Sequence, residues 1–361
     1  MAKNESPSPG IINPSTRWTW TLRRVVFISG VCLWLGSMLV QTRLDGIIAL
    51  WTGALLLGGL FIVTTPTRTV TIGQLIQPLC LGGAMLGIVV LAGVAFNITF
   101  GTSAGPLRDL TIPLVEEVLK ILPLLWILWR ERNGRSQSLG VTDLLLIAAA
   151  CGVGFGLVEE AFIRHNEGWS RPLWWLPTSE IIRRPDGTQL IVGHGAWTGL
   201  AGLTLGFALL LRRPRAIMMT IGISGLVWSV IDHAGTNYGN SYRDTLGTIL
   251  RFVNGDGWFT AYLFLVGVVA AIFFDLYLLH FNQRKLPEAK LPRPGLSLDR
   301  LRTVWAFELV RRQFAFAVAR YQRESGISRV RAAVLAANLD GTLVNSQQWW
   351  RDTSKSSNAS V

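Results

Sequence analysis

Charge is scarce in this sequence: Asp, Glu, Lys and Arg make up 16% of its 361 residues, against about 25% in a soluble domain. That scarcity argues against an ordinary soluble enzyme. Cysteine is nearly absent, and Cys32, Cys80 and Cys151 sit in apolar runs at unrelated spacing. A disulfide framework and a thiolate metal site are both excluded on that ground. The chain also lacks low-complexity stretches, a collagen-like repeat and an acidic disordered tail. It has no His-Glu-x-x-His, so the zinc-protease helix built on that motif is missing. What abounds is apolar. Half of the residues are hydrophobic (50%), 15 are tryptophan, and the apolar runs approach the length of a bilayer span. The composition predicts an all-α polytopic membrane protein.

About eight transmembrane helices are expected: Val25–Val40, Ile47–Val63, Leu75–Ile98, Leu107–Trp129, Leu144–Phe162, Ala196–Leu211, Ala216–Ile231 and Trp258–Leu279. Arg23-Arg24 before the first run resembles the start of a signal peptide. No small-residue cleavage site follows Val40, however, so the run reads as an uncleaved anchor. Basic residues set the orientation. Lys3, Arg17, Arg23 and Arg24 precede the first span, Arg68 follows the second, Arg130, Arg132 and Arg135 the fourth, and Arg212, Arg213 and Arg215 the sixth. The alternate loops are diluted by acidic residues, among them Asp45, Asp109, Glu180 and Asp244. Both termini are therefore expected in the cytoplasm, in a multi-pass protein of the cell membrane. Long outer loops are expected at Ile163–Gly193, rich in Trp and Pro, and at Asp232–Gly257.

The organisation follows: a cytoplasmic segment 1–24, a membrane domain 25–280 and a basic tail 281–361. The tail holds 14 Arg/Lys and 6 Asp/Glu, so it supplies +8 of the formal +12. After the prolines 287, 292 and 294, Ser297 is placed to cap a basic amphipathic helix running through Leu301, Trp305, Phe314 and Val318. Its expected partner is anionic lipid or the loops of its own protein. The basic stretches carry no nucleic-acid module.

An ionisable side chain at the bilayer centre costs on the order of 3 kcal/mol, so such residues usually line a functional cavity. The fourth span holds Glu116, Glu117 and Lys120, with Glu116 and Lys120 one turn apart on one face. The fifth ends in Phe155 and Glu159, again one turn apart, after Gly152 and Gly154. The sixth opens at His194, and the seventh closes on Asp232, His233 and Asn237. At 1.5 Å per residue Glu116 lies roughly 13 Å below the outer surface, the same outer half as Glu159, His194 and His233. Asp275 and His280 of the last span read as structural or interfacial. A set of Glu and His at one depth supports two chemistries. A screened carboxylate can act as base on water while His and Asn donors hold an oxyanion. Alternatively Glu116, Glu159, His194 and His233 can hold Zn²⁺, which activates its water.

Taken in order, Glu116-Glu117-x-x-Lys120, Phe155-x-x-x-Glu159, His194 heading a Gly-rich span, and His233 with Asn237 resemble the PrsW family of intramembrane proteases, relatives of the CAAX prenyl endopeptidases. The resemblance covers about residues 107–237. It implies an endopeptidase acting within the membrane on a membrane-anchored protein. It also implies Glu116 as the water-activating base, with His233 and Asn237 helping to form the oxyanion site. Glu159 takes a position that is glutamate in the PrsW branch and histidine in the CAAX branch. Lys120 and Phe155 are supporting residues. Glu160 departs from the pattern, as does the long basic tail.

Competing motifs are weaker. Ser103, in Gly-Thr-Ser-Ala-Gly, has no strand before it, and Ser224, in a rhomboid-like Gly-Ile-Ser-Gly, lies too deep to meet His194. Asn338 stands where a haloacid-dehalogenase nucleophile would be Asp, with too few residues after it for such a domain. A proton- or cation-coupled carrier is the rival function. It would be expected to show an internal repeat, and the first three spans hold no acidic counterparts.

Overall fold

The computed structural model describes residues 44–101, 104–130, 138–162, 171–184, 187–211, 214–242 and 244–283, with 305, 308–309, 311–313 and 315–317 of the tail. Its helices are α1 (Leu44–Val63), α2 (Ile72–Phe100), α3 (Gly105–Arg130), α4 (Val141–Phe162), α5 (His194–Leu210), α6 (Arg215–Ser241), α7 (Thr245–Asn254) and α8 (Trp258–Gln283). Among the described residues, four stretches are long and apolar enough to cross a membrane: Ile72–Phe100, Val141–Glu160, Arg215–Gly239 and Thr245–Asn282. This is a polytopic membrane protein. The expected span Val25–Val40 lies outside the described residues. The expected second, fourth and sixth spans are helices too. They fall short of the same measure because α3 carries charged residues along its length and α5 has only 17 residues.

The core is built around α4, whose apolar residues are buried on nearly every side. A helix apolar all round belongs inside a bundle. It packs chiefly on α5, α2 and α1. By contrast α2 and α8 expose Leu91, Ile98, Val266 and Phe273, as lipid-facing helices do. The approach to α4 depends on missing side chains. A Cβ at Gly154 would run into the Leu79 carbonyl oxygen of α2, and one at Gly152 into the His194 carbonyl oxygen of α5. Small residues let these backbones touch, and that contact brings Glu159 beside His194.

Buried carboxylates lock the end of α4 remote from Glu159. Asp143 accepts from Thr69 N (2.6 Å), Val70 N (2.9 Å), Gly140 N (2.9 Å) and Thr69 Oγ1 (2.7 Å). Asp275 accepts from Val141 N (3.0 Å), Thr142 N (2.8 Å) and Thr142 Oγ1 (2.7 Å), so it satisfies orphan donors in the first turn of α4. The structural reading of Asp275 is borne out. Part of the tail packs at this end, where Arg312 Nη1 donates to Thr65 O (2.6 Å) and buried Phe316 lies against Leu278 and Leu279. Asp143→Ala strands several buried donors and is expected to cost about 3 kcal/mol. The site lies roughly 24 Å along the helix, so cleavage per folded molecule is expected to persist. Thermal unfolding in detergent checks it; an unchanged midpoint would refute the lock.

Two expected outer loops are corrected. Within Ile163–Gly193 the chain forms an antiparallel sheet in the order β1 (Arg171–Leu173), β2 (Leu176–Arg184), β3 (Gly187–Ile191), so the fold is mostly helical rather than all-α. Residues 178–182 and 188–191, with their β-branched Thr and Ile, lie on either side of Pro185-Asp186-Gly187, a hairpin signal that hydropathy averaging conceals. Within Asp232–Gly257, α6 continues to Ser241, α7 follows, and a 3₁₀ turn spans Gly255–Gly257. His233 therefore stands inside a helix rather than at its end.

Candidate active site

Four helices converge on one buried cluster. From α3, the first strongly polar helix, come Glu116, Glu117 and Lys120, all buried. From the last turn of α4 comes Glu159. His194 opens α5 because β3 ends at Ile191 and Gly193, at φ 83°, turns the chain into the helix. Only glycine adopts that conformation without strain. His233 comes from α6.

Lys120 is the centre of the cluster. Its side chain is 0% exposed, and its Nζ donates to Glu116 Oε2 (3.2 Å) and Glu117 Oε1 (2.8 Å) and lies 2.6 Å from His194 Nδ1. Three acceptors thus meet the three donors of one ammonium. The Phe155 ring lies beneath it, 4.3 Å from Nζ to centroid, at cation–π distance. The expected Glu116–Lys120 face is therefore present, and Glu117, expected about 100° away, reaches the same lysine through i, i+3.

Hydrogen-bond partners assign both imidazole tautomers. An ammonium cannot accept, so His194 Nδ1 presents its lone pair to Lys120 and Nε2–H donates to Glu159 Oε2. His233 Nδ1–H donates to Glu117 Oε1 (2.9 Å), which leaves its Nε2 lone pair 3.8 Å from Glu116 Oε2. Each histidine is thus held from behind by a glutamate, Glu159 or Glu117; the other nitrogen of His194 meets Lys120, and that of His233 faces Glu116. One ligand atom each from Glu116, His194 and His233 lies within 4.8 Å of the others.

Two imidazole lone pairs and a carboxylate are the donor set of a catalytic zinc site with an open fourth position. Histidines backed by carboxylates are its usual support. A cation, the Lys120 ammonium, already sits against two of the three donors. The residues fit a divalent metal. Of the expected ligands, Glu159 is not in this group: it meets His194 on the nitrogen away from Lys120. Asn237 lies one turn beyond His233 on α6, half-buried. Ser224 is exposed and donates to Ile221 O of its own helix (2.8 Å), a bond unrelated to the cluster. Ser103 and Asn338 lie outside the described residues.

Sequence reasoning missed Trp197 and Asp232 as parts of the site. The Trp197 indole stacks on His233 at 4.3 Å between centroids and 14° between planes, and its Nε1–H donates to Asp232 Oδ2 (2.6 Å). Its carbonyl accepts from Ser229 Oγ (2.8 Å). The signal was present: Trp197 stands one turn after His194, and Asp232 directly precedes His233. A buried carboxylate needs a partner, and the indole N–H supplies it.

No curated protein and no solved structure matches the chain. The profile for PrsW family intramembrane metalloproteases matches residues 46–274, well beyond the segment that carries the motifs. The match extends from α1 to α8, the helices that enclose the cluster, and the chain belongs to the PrsW family of intramembrane metalloproteases.

Proposed function

We propose that this protease hydrolyses a peptide bond of a membrane-anchored protein near the outer-facing end of the anchor, with Glu116 acting on the attacking water. The observation that carries the reading is the convergence of Glu116, His194 and His233. Glu116 takes a proton from water through one carboxylate oxygen, leaving the other for the metal, and returns it to the leaving amine. Lys120 pairs with both glutamates of α3, and Glu117 and Glu159 hold the two imidazoles in their tautomers. Asn237, one turn beyond His233, is the amide donor assigned to the developing oxyanion, since the N–H of His233 is held by Glu117.

Zinc is the metal proposed, held by Glu116, His194 and His233. When bound it supplies Lewis acidity to the water and the scissile carbonyl. Glu159, first expected as a ligand, then orients His194. Stripping the detergent-purified protein with a membrane-permeant chelator is expected to remove stoichiometric zinc and the cleavage of a reporter peptide together, with both restored by added zinc. Full cleavage by a metal-free preparation would refute zinc and leave Glu116 as an unaided base.

The basic loops support cytoplasmic termini, which put the cluster in the outer half of the bilayer, and the cell membrane is the location proposed. Reporter fusions after Arg135 and Arg213 are expected to read cytoplasmic, and fusions within Trp169–Pro185 external. An external reading at Arg213 would invert the proposed cleavage side. Within the tail 281–361, Arg312 and Phe316 meet the protein's own membrane domain; anionic lipid is the proposed partner of the other basic residues.

A further inference from the structure

We propose that Lys120 is a built-in competitor for the metal, its ammonium engaging Glu116 and His194 so that an ion takes those two donors only when the lysine withdraws. The inference rests on the zinc reading above and goes beyond it, because it concerns what the site does before an ion arrives.

The geometry is specific. Nζ lies 3.2 Å from Glu116 Oε2 and 2.6 Å from His194 Nδ1, atoms of two of the three residues that would bind the ion. A divalent ion bound to the same atoms at roughly 2.1 Å would fall within a few ångströms of the ammonium. Two cations that close, in a site shielded from water, repel strongly. Neither can use the same lone pair on His194 at the same time. The third acceptor of Lys120 differs from the other two: Glu117 Oε1, 2.8 Å away, belongs to no ligand of the group. The Phe155 face, 4.3 Å from Nζ, is likewise outside it. A lysine that gives up Glu116 and His194 therefore keeps a carboxylate and an aromatic face, and stays paired without leaving the protein interior. Glu117 also accepts from His233, so the lysine's retained partner is the group that aims the other histidine.

The consequence is a moderated affinity. Without an ion, the ammonium offsets part of the cluster's negative charge and ties α3 to α5. With one, the cost of moving the lysine is subtracted from binding, so the metal is exchangeable rather than locked in.

Zinc affinity is measured on the full-length protein in detergent by competition with a chromophoric chelator, without substrate. Lys120→Met and Lys120→Gln, the latter retaining a hydrogen bond to Glu117, are expected to bind zinc at least tenfold more tightly than wild type. Lys120→Ala leaves a space the size of the side chain. Millimolar ethylammonium is expected to fill it and loosen zinc severalfold there, while leaving wild type unaffected. A purely structural lysine would show no such competition. Zinc bound by wild type, with equal or weaker binding in the folded variants and no effect of ethylammonium, would overturn the competition alone. Zinc bound by none of the folded proteins would overturn both the competition and the zinc reading.

Discussion

Glu116→Gln is expected to lower cleavage by about 10³-fold or more, the upper range for removing a positioned base, with expression and thermal stability near wild type. The amide has the volume of the carboxylate, so packing is kept. It can still accept from Lys120, but it cannot take a proton and is a poor metal ligand. Lys120 retains Glu117 at 2.8 Å, so its buried charge is not left unpaired. That pairing distinguishes the outcome from ordinary destabilisation, in which a lone buried charge costs several kcal/mol. Glu160→Gln, at a position outside the motif, is expected to be milder. Full activity in both Glu116→Gln and Glu117→Gln would remove the assignment.

His194→Ala and His233→Ala are expected to approach the loss caused by Glu116→Gln, because each imidazole offers its free nitrogen into the cluster. Their supporting carboxylates should rank lower. Glu159→Gln and Glu117→Gln leave the imidazoles in place while weakening the bond that sets their tautomers, a change worth about 10- to 100-fold. The loss should fall on kcat more than on KM. A side-chain amide offers an oxygen to the same N–H, so the variant rings can still sit correctly for part of the time. The ranking is checked by steady-state cleavage of one reporter peptide by all four variants. Complete loss in Glu159→Gln with near-normal activity in His194→Ala would reverse the roles given to that pair.

The parts legible in the sequence were those where chemistry conflicts with environment. Charged residues in an apolar helix are costly, so Glu116, Glu117 and Lys120 stood out, and the structure places them together with His194 and His233. Apolar runs located α2, α4 and α8 to within a few residues. What hydropathy misses is structure whose signal is a turn between β-branched segments or a helix that runs on into polar residues. The sheet at Arg171–Ile191 and the continuation of α6 past His233 were both read as loop because their polar residues lowered the average. Trp197 was hidden for the opposite reason: tryptophan is common in this chain, and only the facing Asp232 and His233 distinguish it from a core or interfacial residue. In the proposed zinc site Glu159 supports a ligand rather than being one, because the converging donor atoms belong to Glu116, His194 and His233. Spacing cannot tell a glutamate that binds an ion from one that steadies the histidine doing so, whereas the two ends of the His194 ring do.

The central claim is that Glu116 enables cleavage of membrane-anchored proteins near their outer-facing ends. Its most direct test is mass spectrometry of peptide termini in membranes from cells carrying either the wild-type protein or Glu116→Gln at matched levels. New termini are expected within or beside the outer ends of transmembrane segments, present with wild type and absent with the variant. Identical sets of termini in the two membranes, or wild-type-specific cuts confined to cytoplasmic domains, would contradict it.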